Sequence, residues 1–215
     1  MGLLEPRCAG DAGDRIRRSA PLLASDRPAP GSAAVSVLAA IDVQRVFADA
    51  DSPWFSDGWE RAVEGTRRLI PHFGERVVTT RFIAPEQPAG AWSDYYRDWP
   101  FALVPASDRL YDLVPGLEGH RTISTTTFGK WGPELDDALD EDRELVLTGV
   151  ATDCCVLSTA LSAADAGIRV RVVVDACAGS SDQAHRRALD VMALYAPLIE
   201  LTSVDAVLAQ RHASG

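Results

Sequence analysis

One stretch, residues 145–177, constrains the fold of this 215-residue chain more than any other. Its sequence is LVLTGVATDCCVLSTALSAADAGIRVRVVVDAC, in which two continuous apolar runs, residues 145–150 and 170–175, flank an alanine-rich segment that ends at Gly167. Continuous apolar runs are typical of strands buried on both faces, and two parallel strands need a crossover that is usually a helix. The stretch therefore predicts a right-handed βαβ unit in a parallel sheet.

Two adjacent cysteines lie in the turn between the first of these strands and the helix. If Thr152 is the N-cap, Cys154 and Cys155 occupy the second and third helical positions. Unpaired backbone N–H groups and the helix dipole favour a thiolate there. The turn is therefore a predicted site for a nucleophile, although the residues alone leave the choice between Cys154 and Cys155 open.

The rest of the chain repeats the alternation of strand and helix. Further strands are predicted at residues 36–41, 76–81, 121–125 and 198–202, and helices at residues 59–73, 107–114, 133–139, 181–195 and 203–212. Six strands separated by helices predict a single doubly wound α/β domain over residues 34–215, with helices on both faces of the sheet. Residues 1–33 lack sustained periodicity and are predicted to be a flexible tail.

Three reactive side chains are predicted to meet at one edge of this sheet. In the common strand order 3-2-1-4-5-6, strands one and four are neighbours at the topological switch point, where such sheets bind ligands. Asp42 follows strand one, Lys130 follows strand three, and Cys155 follows strand four. Taken singly, Asp42 could be a turn-forming residue and Lys130 a surface lysine, but their joint placement favours a catalytic site.

The chemistry of this set is acyl transfer to sulfur. A thiol attacks a carbonyl carbon after losing its proton, which Asp42 could accept and later return to a departing amine. Lys130 is the only lysine among 21 basic residues, and an amine can be a compact donor with a tunable pKa where an arginine cannot. Backbone N–H groups of the turn over residues 151–155 are the candidate oxyanion hole.

Composition excludes several classes of partner and cofactor. The net charge of -10 argues against nucleic acid or an anionic membrane as partner. Cys8, Cys154, Cys155 and Cys177 lack zinc-site spacing, and this cysteine usage indicates a reduced, cytoplasmic protein. No apolar run approaches the roughly 18 to 20 residues that span a bilayer. A small molecule is therefore the expected partner.

A long segment, residues 82–105, is rich in aromatic residues and predicted to be an irregular binding loop. Its aromatics could alternatively cover a core or a subunit interface. The substrate pocket is predicted to be lined by Gln44, Phe47, Trp54, Trp92, Tyr96 and Trp131.

The segment TGVATDCCVLSTALSAADAG (residues 148–167), followed by VVVDACA, resembles the signature of the isochorismatase-like cysteine hydrolases, which include nicotinamidases and N-carbamoylsarcosine amidase. The resemblance covers residues 35–208. It implies that Cys155, which precedes the Val of the Thr-Asp-x-Cys-Val run, is the nucleophile and that Asp42 is the acid and base. It also implies a cis peptide bond between Val150 and Ala151 at the oxyanion hole, and a homo-oligomer.

Two departures from the family pattern bear on activity. The family lysine usually stands near the position of Ser124 or Thr125, whereas Lys130 follows Phe128. Residues 80–99 contain no histidine, although nicotinamidases hold a metal in this region with an Asp and two His. We therefore expect no metal or cofactor.

The expected function is metal-independent cysteine hydrolysis of a C–N bond in a small amide, ureide or lactam, through a thioester. One alternative is isochorismatase-type hydrolysis of a vinyl ether. Another is a noncatalytic binding protein on the same fold.

Overall fold

The computed structural model describes residues 36–139 and 143–210. Its centre is a six-stranded sheet in which every described pairing is parallel, in the order β3-β2-β1-β4-β5-β6. The strands are β1 (Val37–Ile41), β2 (Val77–Phe82), β3 (Arg121–Thr125), β4 (Glu144–Val150), β5 (Arg169–Ala178) and β6 (Ile199–Thr202). The predicted doubly wound sheet and its strand order are confirmed.

Helices cover both faces of the sheet. They are α1 (Arg45–Ala48), α2 (Trp59–Phe73), α3 (Ala91–Asp98), α4 (Pro133–Asp136), α5 (Leu157–Asp165), α6 (Asp182–Ala193) and α7 (Val204–Ala209). One face packs against α4, α5 and α6, which contribute Leu135, Ala160 and Met192 to its core. The opposite face packs against α2 and α7 through Leu69 and Val204.

Several local predictions were wrong in extent. The predicted loop over residues 82–105 contains α3, and the predicted helix over residues 107–114 is only a 3-10 turn at Arg109–Tyr111. Strand β5 extends to Ala178 because its last residues pair with the end of β4. The predicted tail over residues 1–33, and the end of the last predicted helix at His212, lie outside the described residues.

The close approach of β1 and β4 positions the ends of both strands. Gly149 has φ 111°, and a Cβ built there would lie 2.0 Å from the carbonyl oxygen of Ile41. Only glycine therefore fits at this point of contact. Asp42 follows directly after β1 with φ 47°, in the left-handed region. Within the described part of the chain, no helix has the length and apolar character needed to cross a membrane.

Candidate active site

Asp42 is held at the end of β1 by a side chain from the neighbouring strand. The Thr80 hydroxyl on β2 donates to Asp42 Oδ1 over 2.6 Å and accepts from the Asp42 backbone N–H over 3.0 Å. Both residues are fully buried. Two contacts to one hydroxyl fix the carboxylate in place despite its unusual backbone conformation.

Lys130 is brought to this carboxylate from the loop that follows β3. Its Nζ lies 2.9 Å from Asp42 Oδ2, and both side chains are fully buried. The ammonium also donates to Thr125 Oγ1 over 3.1 Å and to the carbonyl oxygen of Thr127 over 2.7 Å, and lies 5.1 Å from the centre of the Phe82 ring. The ammonium is therefore held by two hydrogen bonds within its own loop and by the charge of Asp42. Lys130 reaches Thr125, near where the family lysine usually stands, from the far side of the loop.

Cys155 lies one turn into the segment between β4 and α5, and is only 2% exposed. This segment is a π-helical turn, Thr152–Val156, whose N-cap is Ala151. Thr152 is thus the first residue of the helix and not its N-cap. The shift by one residue places Cys154 and Cys155 at the third and fourth helical positions.

Other groups around Cys155 act against the thiolate that its place at a helix terminus favours. Burial raises the pKa of the Cys155 thiol well above its ordinary value, and the Asp42 carboxylate raises it further by its charge and as a hydrogen-bond acceptor. The Lys130 ammonium lowers this pKa but does not outweigh the other effects. The resting residue is therefore a neutral thiol beside a carboxylate that can accept its proton.

The turn around Cys155 has a cis peptide bond between Val150 and Ala151. The carbonyl oxygen of Ala151 accepts from the N–H groups of Cys154 and Val156, each over 3.1 Å. The N–H of Cys154 is thereby engaged within the turn. An oxyanion role for the N–H groups of Ala151 and Cys155 stays a prediction.

Residues of the loop after β5 and of α6 brace the same turn, and the sequence did not predict these contacts. Asp153 accepts from the backbone N–H and the hydroxyl of Ser180, both over 2.8 Å. The Thr152 hydroxyl lies 2.8 Å from His185 Nδ1. Burial, followed by the positive charge of Arg61, lowers the pKa of His185. The signal that could have found Asp153 is its position at a helix start, where a carboxylate binds backbone N–H groups.

A cavity of about 390 Å³ opens onto Cys155. Its walls are mostly aromatic, with polar groups beside the nucleophile; the lining residues are Phe47, Pro53, Trp54, Phe55, Ser56, Phe82, Tyr95, Trp99, Phe128, Ala151, Asp153, Cys154, Cys155 and Ser180. Burial raises the pKa of Tyr95 to about 12, so its phenol stays protonated at neutral pH. Of the predicted pocket residues, Phe47 and Trp54 line this cavity.

The other four predicted pocket residues lie elsewhere. Gln44 bridges backbone groups: its Nε2 donates to the carbonyl oxygens of Phe82 (3.1 Å) and Tyr111 (2.9 Å), and its Oε1 accepts from the Phe82 N–H (2.8 Å). Tyr96 is buried in an aromatic cluster that Trp92 packs against. Trp131 is partly buried and packs against the core cluster that contains Cys155.

Helix α3 explains this correction. Tyr95 and Trp99 are four residues apart and share one face of the helical segment, so they reach the cavity together. A segment treated as an irregular loop gives no such periodicity. In residues 36–139 and 143–210 no cluster of three or more His, Cys, Asp or Glu side chains is arranged to hold a metal ion.

Comparison with curated proteins finds relatives that match over part of their length. Isochorismatase domain-containing protein 2 of Rattus norvegicus is 40% identical over 87 residues, which are 39% of this chain and 39% of the relative. The protein of the same name from Xenopus laevis is 36% identical over 69 residues, 31% of this chain and 34% of the relative. The chain thus matches well under half the length of these relatives.

Solved structures share the fold at low identity. A cysteine hydrolase from Pseudomonas syringae pv. phaseolicola 1448A has a TM-score of 0.72 and 16% identity, covering 84% of this chain and 93% of that one. The N-carbamoylsarcosine amidase of Thermoplasma acidophilum has a TM-score of 0.61 and 18% identity, covering 79% and 96%. A model described as the Isochorismatase domain matches residues 36–204 of this chain. This match extends over most of the sequence, and the chain belongs to the isochorismatase family of hydrolases.

Proposed function

We propose that this protein is a cysteine hydrolase that cleaves the C–N bond of a small amide, ureide or lactam through a thioester at Cys155. The observation that carries the proposal is the buried pair of Lys130 Nζ and Asp42 Oδ2, 2.9 Å apart, beside a thiol that lines a cavity. A buried charge pair is costly to maintain, so its position next to a nucleophile favours a catalytic role.

In the proposed reaction, Asp42 accepts the thiol proton as the Cys155 sulfur attacks the carbonyl carbon of the substrate. The tetrahedral intermediate then collapses, the C–N bond breaks, and Asp42 returns the proton to the leaving nitrogen. A water molecule, deprotonated by Asp42, attacks the thioester carbon, and the sulfur leaves as a thiol after recovering the proton. Lys130 stays charged throughout and stabilises both the carboxylate and the developing thiolate.

The cavity indicates what kind of amide would fit. A volume of about 390 Å³ with walls such as Trp54, Phe82 and Phe128 suits a small substrate with a flat or apolar body. The polar groups of Asp153, Ser180 and Tyr95 lie in the same cavity and can bind its polar substituents. Hydrolysis without a metal is part of the proposal, because residues 80–99 contain no histidine to act as the metal ligands that nicotinamidases have in this region.

The experiment is a screen of small primary amides, ureides and lactams with detection of released ammonia or amine, in the presence of EDTA. Cys155→Ala is the blank. Turnover by the wild type with none by Cys155→Ala supports the proposal. If the wild type and Cys155→Ala hydrolyse vinyl ethers equally well, the protein is instead an isochorismatase-type enzyme. If the wild type turns over none of these compounds, the result favours a binding protein.

A further inference from the structure

The loop that carries Lys130 has little regular structure of its own. It lies between the end of β3 at Thr125 and the start of α4 at Pro133. The lysine side chain holds this loop from one end through Asp42, Thr125 and Thr127. A catalytic side chain on such a loop needs a second attachment of the loop to the rest of the fold if its ammonium is to keep its position in the site.

A single hydroxyl on α5 supplies that second attachment. The backbone N–H of Lys130 donates to Thr159 Oγ1 over 2.9 Å, and the same hydroxyl donates to the carbonyl oxygen of Cys155 over 2.7 Å. Thr159 is fully buried. One oxygen atom therefore joins the main chains of the two residues that are proposed to act together on the substrate.

The two hydrogen bonds define what the side chain must be. A hydroxyl has one proton to donate and lone pairs to accept, which matches a carbonyl on one side and an N–H on the other. A threonine on a helix often bonds the carbonyl four residues earlier, so the contact with Cys155 alone is ordinary. The bond from Lys130, which comes from a separate loop, is the feature that a purely local role does not explain.

We propose that Thr159 is a positioning residue that holds the Lys130 ammonium in place relative to the Cys155 sulfur. The inference rests on the proposed function, in which Lys130 stabilises the anion at Cys155. Without the hydroxyl, the Lys130 N–H and the Cys155 carbonyl lose a buried partner, and the loop loses its attachment to the nucleophile's helix. A displacement of about 1 Å can cost about 100-fold in rate, so Thr159→Val should lower kcat by about 10- to 100-fold. KM should change by less than about 3-fold, because Thr159 does not line the cavity.

The test is the pH dependence of Cys155 alkylation by iodoacetamide in the full chain, followed by tandem mass spectrometry, which assigns the modification to Cys155 or to the adjacent Cys154 within one peptide. Lys130 lowers the pKa of Cys155, so a displaced ammonium should move the profile of Thr159→Val to higher pH. Thr159→Ser keeps the hydroxyl and should restore the wild-type profile. Thr148→Val is the matched control, because Thr148 is a buried threonine on β4 whose hydroxyl has no hydrogen-bond partner among the described residues.

A folded Thr159→Val protein with the wild-type alkylation profile would overturn the inference. If the valine variant does not fold, Thr159→Ala, which removes the hydroxyl without adding bulk, must show the same shift. Either result is separable from the proposed function, which is tested by amide turnover of the wild type and of Cys155→Ala.

Discussion

At the scale of single residues, the site depends on two opposite charges withdrawn from water. Asp42 and Lys130 pair over 2.9 Å with both side chains fully buried. Removing one member of such a pair leaves an uncompensated buried charge, which typically costs about 3–5 kcal/mol of stability. Loss of either charge should therefore destabilise the fold, and a replacement that keeps the charge must also fit the same buried space.

Lys130→Arg should lower kcat by about 100-fold or more. A guanidinium keeps the positive charge but is planar and too large for the space in which an ammonium contacts Asp42, Thr125 and Thr127. Steady-state assays of amine release measure the effect. The matched control is Arg97→Lys, which makes the reverse change at a side chain 73% exposed, and should leave kcat unchanged. Activity of Lys130→Arg near that of the wild type would return Lys130 to a structural role.

Asp42→Asn should change turnover and thiol alkylation in opposite directions. Burial and the Asp42 carboxylate both raise the pKa of Cys155, so neutralising Asp42 should lower that pKa and leave burial as the main effect opposing Lys130. Alkylation at neutral pH should then become faster, because more thiolate is present. Turnover should fall by about 100-fold or more, because the general base is lost. Slower alkylation of Asp42→Asn would show that the carboxylate does not hold the thiol protonated.

At the scale of elements, the orientation of α3 decides which of its aromatic side chains, here Tyr95 and Trp99, form the aromatic wall of the cavity. Trp99→Ala should raise KM by about 10-fold or more by removing apolar contact with the substrate, as a steady-state titration would measure. Trp92→Ala is the matched control, since Trp92 packs behind the wall, 5.1 Å from Phe128 between ring centres, and does not line the cavity. It should lower thermal stability more than it changes KM. Equal effects of both variants on KM would contradict this assignment of the wall.

A second prediction at the scale of elements concerns the close contact between β1 and β4. Gly149→Ala should destabilise the fold by about 3 kcal/mol or more, because the added Cβ would lie 2.0 Å from the Ile41 carbonyl oxygen. Denaturant unfolding measures the change. Gly167→Ala is the control that separates the steric clash from the cost of placing alanine at a positive φ. Gly167 also has a positive φ, but no atom lies within 4 Å of a Cβ built there. This control should cost only about 1–2 kcal/mol. Equal losses for the two variants would rule out the steric explanation.

At the scale of the whole molecule, the sequence predicted the architecture well because that architecture depends on apolar runs. Buried strands and amphipathic helices leave repeating patterns, and the doubly wound order follows from the alternation. The ends of β1 and β4 were therefore placed correctly, along with Asp42 and Cys155 at the same edge of the sheet.

Features that depend on distance or on rotation were not predictable in this way. The pKa of Cys155 is set by the depth of burial and the nearness of Asp42, which the helix position alone does not give. Tyr95 and Trp99 were passed over for Tyr96 and Trp92, because the choice depends on which face of α3 meets the cavity. The bond from Lys130 to Thr159 joins residues 29 apart and leaves no local pattern.

The most direct test of the account is turnover by Cys155→Ala beside Cys154→Ala, with any amide that the wild type hydrolyses. Both thiols line the cavity, and they are adjacent in the chain, so the two variants differ mainly in which sulfur is removed. We predict no detectable turnover for Cys155→Ala, and for Cys154→Ala a rate within about 10-fold of the wild type. Turnover by Cys155→Ala, or its loss only in Cys154→Ala, would contradict a thioester at Cys155.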